Sequence, residues 1–491
     1  MHLLRIQVPD FRGLKDIDIT FEKEFTPKIF PLGSQNGGGK STLLQLIFVL
    51  LHCSRDPERK IFLENLLQGF KISENSDKRV LATIEIWHQN QSFKIEFFAY
   101  RDFYLRDLLN SNGKKTINDE ANLRFSASIE LEEVKSKILN LEKAVRDLEN
   151  SLNRLQEINI IENHDDRLLH IIEESRYILE SGLTIYSNKF DSSMSKNFPS
   201  FEDVQEDVKT TLEVYKLNLK RLYEKSQQIA PISQKALEYM QSKNLIYICN
   251  YSKDKKQEEA ALICNIDNLN ITEAETFLNE LSQKVFMAAP ATQVFLFLSQ
   301  EQRKQLFTQH SNNYYFSIKA AKSKLPGFFT YDFIPIELLI KVFIAARDQD
   351  FIKAIETGEY GNNYKALKNE LNKMLVNKKV NIDKDLAGVT FSLDKNGEHV
   401  ELYPEDLSHG ELKRLSIYMW IKYRNIENAI VLMDEVEIAL HPDWQYQIIS
   451  DLIEWSPSNQ YILATHSYEL CQAVTPAHVK EIEPKLIKKE A

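Results

Sequence analysis

The chain has 491 residues, a length that predicts two or three compact domains. Hydrophobic residues make up 43% and charged residues 27% of it, as in soluble globular proteins, and no apolar run is long enough to span a bilayer. A formal net charge of -10 excludes a globally basic nucleic-acid-binding surface, although a local basic groove is still compatible with it.

The amino terminus and the cysteines both indicate a reducing compartment. Residues 1–10 lack a basic segment followed by a long apolar core, so we expect no secretion signal and a cytoplasmic location. The cysteines show no C-x-x-C spacing, which predicts reduced, mostly buried thiols and argues against a zinc site. They are Cys53, Cys249, Cys264 and Cys471.

Two short strands are predicted near the amino terminus, over residues 3–8 and 17–21, because apolar residues alternate there. The turn between them carries Arg12 and Lys15. Either cation is a candidate contact for nucleotide phosphate, but a solvated turn is the default interpretation of a single cation.

A glycine-rich loop between a predicted strand at 29–32 and a predicted helix from 43 onward is the central motif of the sequence. Glycines leave backbone N–H groups free to turn onto phosphate oxygens, and the following helix start adds the positive end of its dipole. Lys40 is predicted to reach the β and γ phosphates, and the Ser41 hydroxyl to bind Mg²⁺. The candidate phosphate-binding residues are Ser34, Asn36, Gly37, Gly38, Gly39, Lys40, Ser41 and Thr42.

The middle of the chain shows a different pattern. After a predicted strand pair at 81–87 and 93–98, apolar residues recur at alternating spacings of three and four from Leu131 to Leu155, which is a heptad seam. A second series runs from Val204 to Leu222. We expect the two helices to pair as an antiparallel coiled-coil hairpin that turns within 160–200; two separate surface helices are the alternative.

Residues 244 to about 310 predict a small α/β insert, because strand-like segments surround a helical one. The predicted strands are 245–249, 261–266 and 294–298, and the predicted helix is 272–285. Pro326-Gly327 marks a boundary, and helices are predicted over 337–347 and 364–375. Asn396-Gly397 between strands at 389–393 and 400–403 predicts a hairpin.

Two buried strands near the carboxyl terminus end in polar residues. Residues 429–433 lead into Asp434 and Glu435, and residues 461–465 lead into His466. Asp434 is a candidate Mg²⁺ ligand, and Glu435 is placed to orient or deprotonate a water that attacks the γ phosphate. His466 is a candidate hydrogen-bond partner of the γ phosphate.

Ser408 and Gly410 follow the predicted β-hairpin at 389–403 and precede these two strands. Ser408 and the Gly410 amide open a predicted helix and offer another anion site. Taken singly, each of these motifs has an ordinary interpretation: an N-cap for Ser408, a strand-end turn for Asp434-Glu435, and a core histidine for His466. Their occurrence in this order after a phosphate loop favours one nucleotide site.

Together the motifs resemble the ATP-binding cassette (ABC) ATPase heads of the SMC, RecF and OLD group. The matching segments are Walker A at 33–42, the signature at 407–411, Walker B at 430–435, a D-loop-like segment at 437–442 and a switch histidine at His466. The resemblance implies an α/β P-loop NTPase head that binds ATP and Mg²⁺ and is split by the hairpin and the small α/β insert. Ser34 and His409 depart from the usual glycines, and the Q-loop glutamine is not identifiable.

The resemblance also sets the expected domains and assembly. The domains are 1–114 and 327–491 for the two halves of the head, 115–235 for the coiled-coil insertion and 236–326 for the small insert. In this group ATP is closed between the phosphate loop of one head and the signature of another, which implies a homo-oligomer, either a dimer or a higher assembly such as a hexamer.

Only about 25 residues follow the last predicted strand, so we expect no Toprim nuclease domain of the OLD kind. The chain then resembles the nuclease-free ATPases of bacterial antiphage systems, such as PtuA of Septu and AriA of PARIS. That likeness implies an ATP-hydrolysing sensor and scaffold that controls a separately encoded effector nuclease, with DNA or a phage protein as further candidate partners and no membrane partner. The alternative is an SMC- or RecF-like DNA-repair ATPase that clamps duplex DNA. A transporter subunit is disfavoured, because the heptad insertion would intrude where a membrane partner docks.

Overall fold

The computed structural model describes residues 1–34, 37–73, 76, 78–101, 127–158, 201–251, 260–298, 322–331, 336–375, 377–386, 388–395 and 398–482. The chain forms two compact units, one from Met1–Arg101 with Asn244–Ala491 and the other from Asp102–Lys243. Within the described ranges, no helix combines the length and the apolar character needed to cross a membrane.

The first unit contains all of the described strands and eight of the described α-helices. The strands are β1 (His2–Phe11), β2 (Leu14–Thr20), β3 (Ile29–Gly33), β4 (Lys78–His88), β5 (Gln91–Arg101), β6 (Leu245–Tyr251), β7 (Ala260–Ile266), β8 (Val285–Ala289), β9 (Phe328–Thr330), β10 (Lys378–Ile382), β11 (Val389–Lys395), β12 (Glu398–Leu402), β13 (Ile430–Asp434), β14 (Gln460–Ala464) and β15 (Lys480–Glu481). Its helices are α1 (Lys40–Cys53), α2 (Lys60–Leu67), α5 (Ile271–Gln283), α6 (Ile336–Thr357), α7 (Asn363–Met374), α8 (His409–Tyr423), α9 (Pro442–Trp455) and α10 (Tyr468–Gln472); α3 (Ala127–Ile158) and α4 (Phe201–Ser242) belong to the second unit.

Six strands form a parallel sheet in the order β15-β3-β14-β13-β8-β9. Successive side chains of β13 enter different apolar cores: Ile430 and Leu432 pack in the core that contains α1, whereas Val431 and Met433 pack in the core that contains α8 and α9. Burial on both faces explains why this strand is an unbroken apolar run. Because the strands are parallel, the loops after β3, β8, β13 and β14 meet at one edge of the sheet.

A second six-stranded sheet is antiparallel, in the order β2-β1-β4-β5-β7-β6. Its apolar face shares one core with α1, in which the side chains from Leu43 to Leu51 are buried. The strands β10, β11 and β12 form a small antiparallel sheet, and the Asn396-Gly397 turn predicted between the last two lies outside the described residues.

The prediction of a small α/β insert at 236–326 is wrong. Strands β6 and β7 extend the antiparallel sheet, and β8 and β9 extend the parallel sheet. The segment predicted as a strand at 294–298 lies mostly in a 3-10 helix, Ala291–Phe297. Local periodicity shows that a segment is apolar, but hydrogen bonds to distant strands such as β5 and β13 decide which sheet it joins.

The second unit is built from α3 (Ala127–Ile158) and α4 (Phe201–Ser242), which pack on each other. Glu149 pairs with Lys216 at 2.7 Å, and Glu130 pairs with Lys225 at 2.8 Å. Because the residue numbers rise along one helix as they fall along the other, the helices are antiparallel. The buried seam is the heptad series, with Leu131, Val134, Ile138, Leu141, Val145 and Leu148 on α3. The turn predicted within 160–200 lies outside the described residues.

Candidate nucleotide-binding site

The glycine loop between β3 and α1 takes backbone conformations that require glycine. Gly37 and Gly39 have φ angles of 81° and 87°. A Cβ added to Gly39 would lie 2.6 Å from Leu14 Cδ2, so the Leu14 side chain would have to move, and the positive φ would strain any other residue. The first turn of α1 then presents its free N–H groups beside the loop, an arrangement suited to phosphate oxygens.

Lys40 lies at the centre of the site with only 6% of its surface exposed. Its Nζ donates to the Ser34 carbonyl at 3.1 Å and to Ser34 Oγ at 3.0 Å, and it lies 3.0 Å from His466 Nε2. Burial lowers the pKa of Lys40, and the nearby carboxylates oppose that change. The serine that replaces the first loop glycine therefore supplies a hydroxyl that holds the lysine ammonium in place.

Asp434 at the end of β13 lies beside the first turn of α1. Ser41 Oγ donates to Asp434 Oδ1 at 3.1 Å, across 393 positions of sequence. Asp434 is only 1% exposed, and burial raises its pKa to about 7, with repulsion from Glu435 and Glu437 acting in the same direction. A carboxylate in this environment gains strongly from a cation bound against it.

Gln293 completes this cluster, and the sequence analysis did not find it. It follows β8, the strand that pairs with β13, and its Nε2 donates to Asp434 Oδ2 at 2.8 Å. Gln45 of α1 donates in turn to Gln293 Oε1. The sequence analysis predicted a helix up to residue 285 and a strand at 294–298, so it missed β8 and had no signal that brings Gln293 to Asp434.

These side chains fit Mg²⁺, which takes oxygen ligands and keeps several waters. The Ser41 hydroxyl and the Gln293 amide each lie within hydrogen-bond distance of the Asp434 carboxylate. In the described part of the chain, no three His, Cys, Asp or Glu side chains are grouped to hold a metal ion by themselves. Phosphate oxygens and water would therefore supply the remaining ligands.

Glu435 has a backbone φ of 51°, which is unusual for a residue other than glycine. Two hydrogen bonds hold this conformation: its N–H donates to the Ala464 carbonyl at 2.9 Å, and its carbonyl accepts from Lys413 Nζ at 3.0 Å. Strained backbone of this kind persists only where the surroundings fix it, often at functional sites. The half-buried side chain is close enough to Asp434 and Lys40 to affect both pKa values.

His466 follows β14, its side chain is exposed, and its ring contacts Lys40. Its backbone N–H donates to Glu437 Oε1 at 2.7 Å. The two strand ends are therefore connected directly, because Glu437 lies in the segment that follows β13. The sequence analysis placed Glu437 in the D-loop-like segment but gave it no role.

Ser408 and Gly410 lie at the start of α8. Ser408 Oγ accepts from the Glu411 N–H at 3.3 Å and donates to Glu411 Oε2 at 2.9 Å, so Ser408 is an N-cap within its own chain. A Cβ on Gly410 would lie 2.8 Å from the Ala439 carbonyl, so this glycine is needed for close packing. No hydrogen bond among the described residues joins Ser408 or Gly410 to Lys40.

The remaining candidate phosphate-binding residues and the two cations of the first turn lie as follows. Gly38 is buried and Thr42 is half-buried in the first turn of α1, and Asn36 lies outside the described residues. Arg12 donates from Nη2 to the Leu66 carbonyl at 2.7 Å, whereas Lys15 is exposed. The structure thus brings the phosphate loop, both strand ends and His466 together, and it engages Arg12 with α2.

A match to the AAA ATPase domain family, AAA_15, spans residues 1–471 and includes every part of this site. The chain belongs to the AAA ATPase domain family. Its P-loop head, with the acidic strand end beside the phosphate loop, confirms the resemblance to the SMC, RecF and OLD group of ATPases. The nearer likeness to PtuA and AriA stays a prediction.

Two curated relatives match this AAA ATPase domain protein over short segments. It is 34% identical over 99 residues to the Retron Vc95 probable ATPase of Vibrio cholerae serotype O1 biovar El Tor, which is 18% of this chain and 19% of the relative. It is 32% identical over 110 residues to the Retron Ec83 probable ATPase of Escherichia coli, 20% of each chain. The match thus spans about a fifth of either relative.

Two solved structures of Smc head domains align over most of this AAA ATPase domain protein. One, from Pyrococcus furiosus, carries an extended coiled coil bound to the C-terminal domain of ScpA; it covers 96% of this chain and 92% of its own, with a TM-score of 0.31 and 13% identity. The other, from Pyrococcus yayanosii, has a coiled coil and joint; it covers 96% and 93%, with a TM-score of 0.30 and 12% identity.

Proposed function

We propose that this protein binds ATP at the loop 33–42 and hydrolyses it with Mg²⁺. The observation that carries the proposal is the 3.1 Å hydrogen bond from Ser41 Oγ to Asp434 Oδ1. It joins the end of the phosphate loop to the acidic end of a parallel strand, and this pair of oxygens is the Mg²⁺-binding arrangement of P-loop ATPases.

Each residue of the site has a role that follows from its position. Lys40 binds the β and γ phosphate oxygens. To do so, its ammonium exchanges its contacts with Ser34 and His466 for contacts with the nucleotide. Ser41, Asp434 and Gln293 would hold Mg²⁺, which when bound neutralises charge on the phosphate oxygens.

The remaining two residues act at the γ phosphate. Glu435 orients the attacking water and accepts its proton, because its carboxylate stands next to the Mg²⁺-binding cluster. The exposed His466 ring donates a hydrogen bond to the γ phosphate once Lys40 has moved onto the nucleotide.

A second copy of the chain is proposed to complete the site. The exposed start of α8 makes no hydrogen bond to Lys40 within the described residues, and each chain has one phosphate loop and one signature. Two large apolar side chains next to the site are solvent-exposed, Ile438 by 52% and Tyr468 by 70%. Contact with a second head would bury them, and Ser408 and Gly410 of that head would reach the γ phosphate.

The proposed cellular role is to control a separately encoded effector nuclease in bacterial antiphage defence, with ATP-dependent assembly as the signal. Support comes from the resemblance to nuclease-free defence ATPases and from the similarity to two proteins named as retron ATPases. Nucleotide occupancy would set whether the heads are closed, and the paired helices α3 and α4 present an elongated surface on which an effector can dock.

Glu435→Gln tests the nucleotide site and the assembly together. The variant should bind ATP but hydrolyse it at least about 100-fold more slowly, because the acceptor for the water proton is removed. Light scattering should then show an ATP-dependent rise in mass to a dimer or larger. Gln293→Ala should raise the Mg²⁺ concentration needed for half-maximal hydrolysis. A Glu435→Gln protein that keeps one mass with and without ATP would contradict the composite site.

Copurification from the native operon tests the cellular role. A neighbouring gene product should copurify with the wild-type protein, and its nuclease activity should change when Lys40→Ala removes ATP binding. DNA binding that falls steeply with salt, with no copurifying nuclease, would instead support the DNA-clamping alternative.

A further inference from the structure

Glu437 is a second buried acid next to the site, and the mechanism above does not use it. Only 9% of its surface is exposed, and its Oε1 accepts the His466 N–H at 2.7 Å. Its Oε2 is fully buried, and no hydrogen-bond partner for it occurs within the described part of the chain. A buried carboxylate oxygen without a partner costs on the order of 1–3 kcal/mol, so this acid is not explained by stability.

The backbone on both sides of Glu437 is fixed to α8. Buried Lys413 donates from Nζ to the Glu435 carbonyl at 3.0 Å and to the Ile438 carbonyl at 2.9 Å. The Ala439 carbonyl lies against Gly410 at the start of α8, too close for a Cβ there. Segment 435–439 is therefore packed against the start of α8 and hydrogen-bonded to Lys413.

The Glu437 side chain links segment 435–439 to His466, which follows β14. Its carboxylate holds the backbone of His466, and the His466 ring lies 3.0 Å from Lys40 Nζ. A continuous set of contacts thus runs from α8 through segment 435–439 to the lysine that binds phosphate. On its outer side the segment exposes Ile438, which a second head would cover.

We propose that Glu437 is a positioning residue that couples segment 435–439 to His466. When a second head displaces Ile438 and the start of α8, the Glu437 carboxylate shifts the His466 backbone and moves its ring from Lys40 towards the γ phosphate. This inference rests on the proposed function, since it assigns the control of hydrolysis at that same site.

Two substitutions separate the hydrogen bond from the charge. Glu437→Ala removes the acceptor and should lower kcat by about 10–100-fold, because His466 is no longer held in its productive position. The dissociation constant for ATP should change by less than about threefold, since Lys40 and the loop are intact. Glu437→Gln keeps an oxygen for the His466 N–H and should restore kcat to within about threefold of wild type. Equal losses in both variants would contradict a positioning role.

The double variant Glu437→Ala/His466→Ala tests the coupling. If Glu437 acts only through His466, the double variant should have the kcat of His466→Ala alone. Losses that multiply would overturn the proposal.

Hydrogen exchange supplies a readout that does not need hydrolysis. The His466 amide should exchange faster in Glu437→Ala and at the wild-type rate in Glu437→Gln. Unchanged exchange in Glu437→Ala would refute the coupling itself, whereas a wild-type protein that fails to hydrolyse ATP would refute only the proposed function.

Discussion

Asp434→Asn should make the protein more stable while it removes Mg²⁺ binding. In the absence of nucleotide and metal, the wild-type carboxyl is buried next to Glu435 and Glu437, and its pKa is raised from 3.8 to about 7. The asparagine is nearly the same size and stays neutral at every pH. Its amide oxygen can still accept a hydrogen bond from Ser41, but its NH2 group would face Gln293 Nε2, so the loss of that hydrogen bond should offset about 1 kcal/mol of the gain.

The size of the effect follows from the two pKa values. An acid whose pKa is higher in the folded than in the unfolded state contributes most to stability below its unfolded pKa, and this contribution is lost as the pH rises through the folded pKa. For Asp434 this loss of stability occurs between pH 3.8 and about pH 7. At about 1.4 kcal/mol per pH unit, the ionised Asp434 lowers the free energy of unfolding of the wild type by up to about 4 kcal/mol at pH 8. At pH 5 the stability difference between the variant and the wild type should be smaller by about 2–3 kcal/mol.

Urea unfolding in EDTA at pH 5 and pH 8 measures the free energies of unfolding of the two proteins. Added Mg²⁺ with ATP should stabilise the wild type but not the variant. Asp451→Asn is the matched control, because Asp451 is also buried but pairs with Arg414 at 2.7 Å. Removing it leaves a buried guanidinium without its carboxylate and should cost about 3–5 kcal/mol. A loss of stability in Asp434→Asn at pH 8 would refute the reasoning.

Three further substitutions test other parts of the structure. Lys40→Ala should abolish the thermal shift with ATP, which in the wild type corresponds to about 2.7 kcal/mol at 100 times the Kd; an unchanged shift would place the phosphates elsewhere. Gly39→Ala should cost at least about 1–3 kcal/mol in thermal melts because of its φ of 87° and the contact with β2, whereas Gly13→Ala, with no atom within 4 Å of the added Cβ, should be nearly neutral. Leu148→Ala should cost about 2–5 kcal/mol of hairpin stability in urea, whereas Leu139→Ala, at a position that is 64% exposed, should cost under about 0.5 kcal/mol; similar values for the two would contradict the pairing of α3 with α4.

Elements that depend on local chemistry were the ones that could be predicted. The loop 33–42 could be predicted because positive φ angles and close packing favour glycine. The strands β13 and β14 could be predicted because burial on both faces favours unbroken apolar runs. The heptad seam likewise predicted the residues buried between α3 and α4.

The sequence by itself determined where the glycine loop lies, which strands are buried and which residues lie at their ends, because each of these depends on neighbours within a few positions. Only the tertiary structure decided that Gln293 reaches Asp434, that Ser34 holds Lys40, and that the strands at 245–330 belong to the two large sheets. The Gln293 contact spans 141 positions and, like the sheet assignments, depends on pairing between distant strands such as β8 and β13, which the whole core selects and which leaves no periodic pattern in the chain. The Ser34 contact spans only six positions, but it depends on how the glycine loop folds back over Lys40.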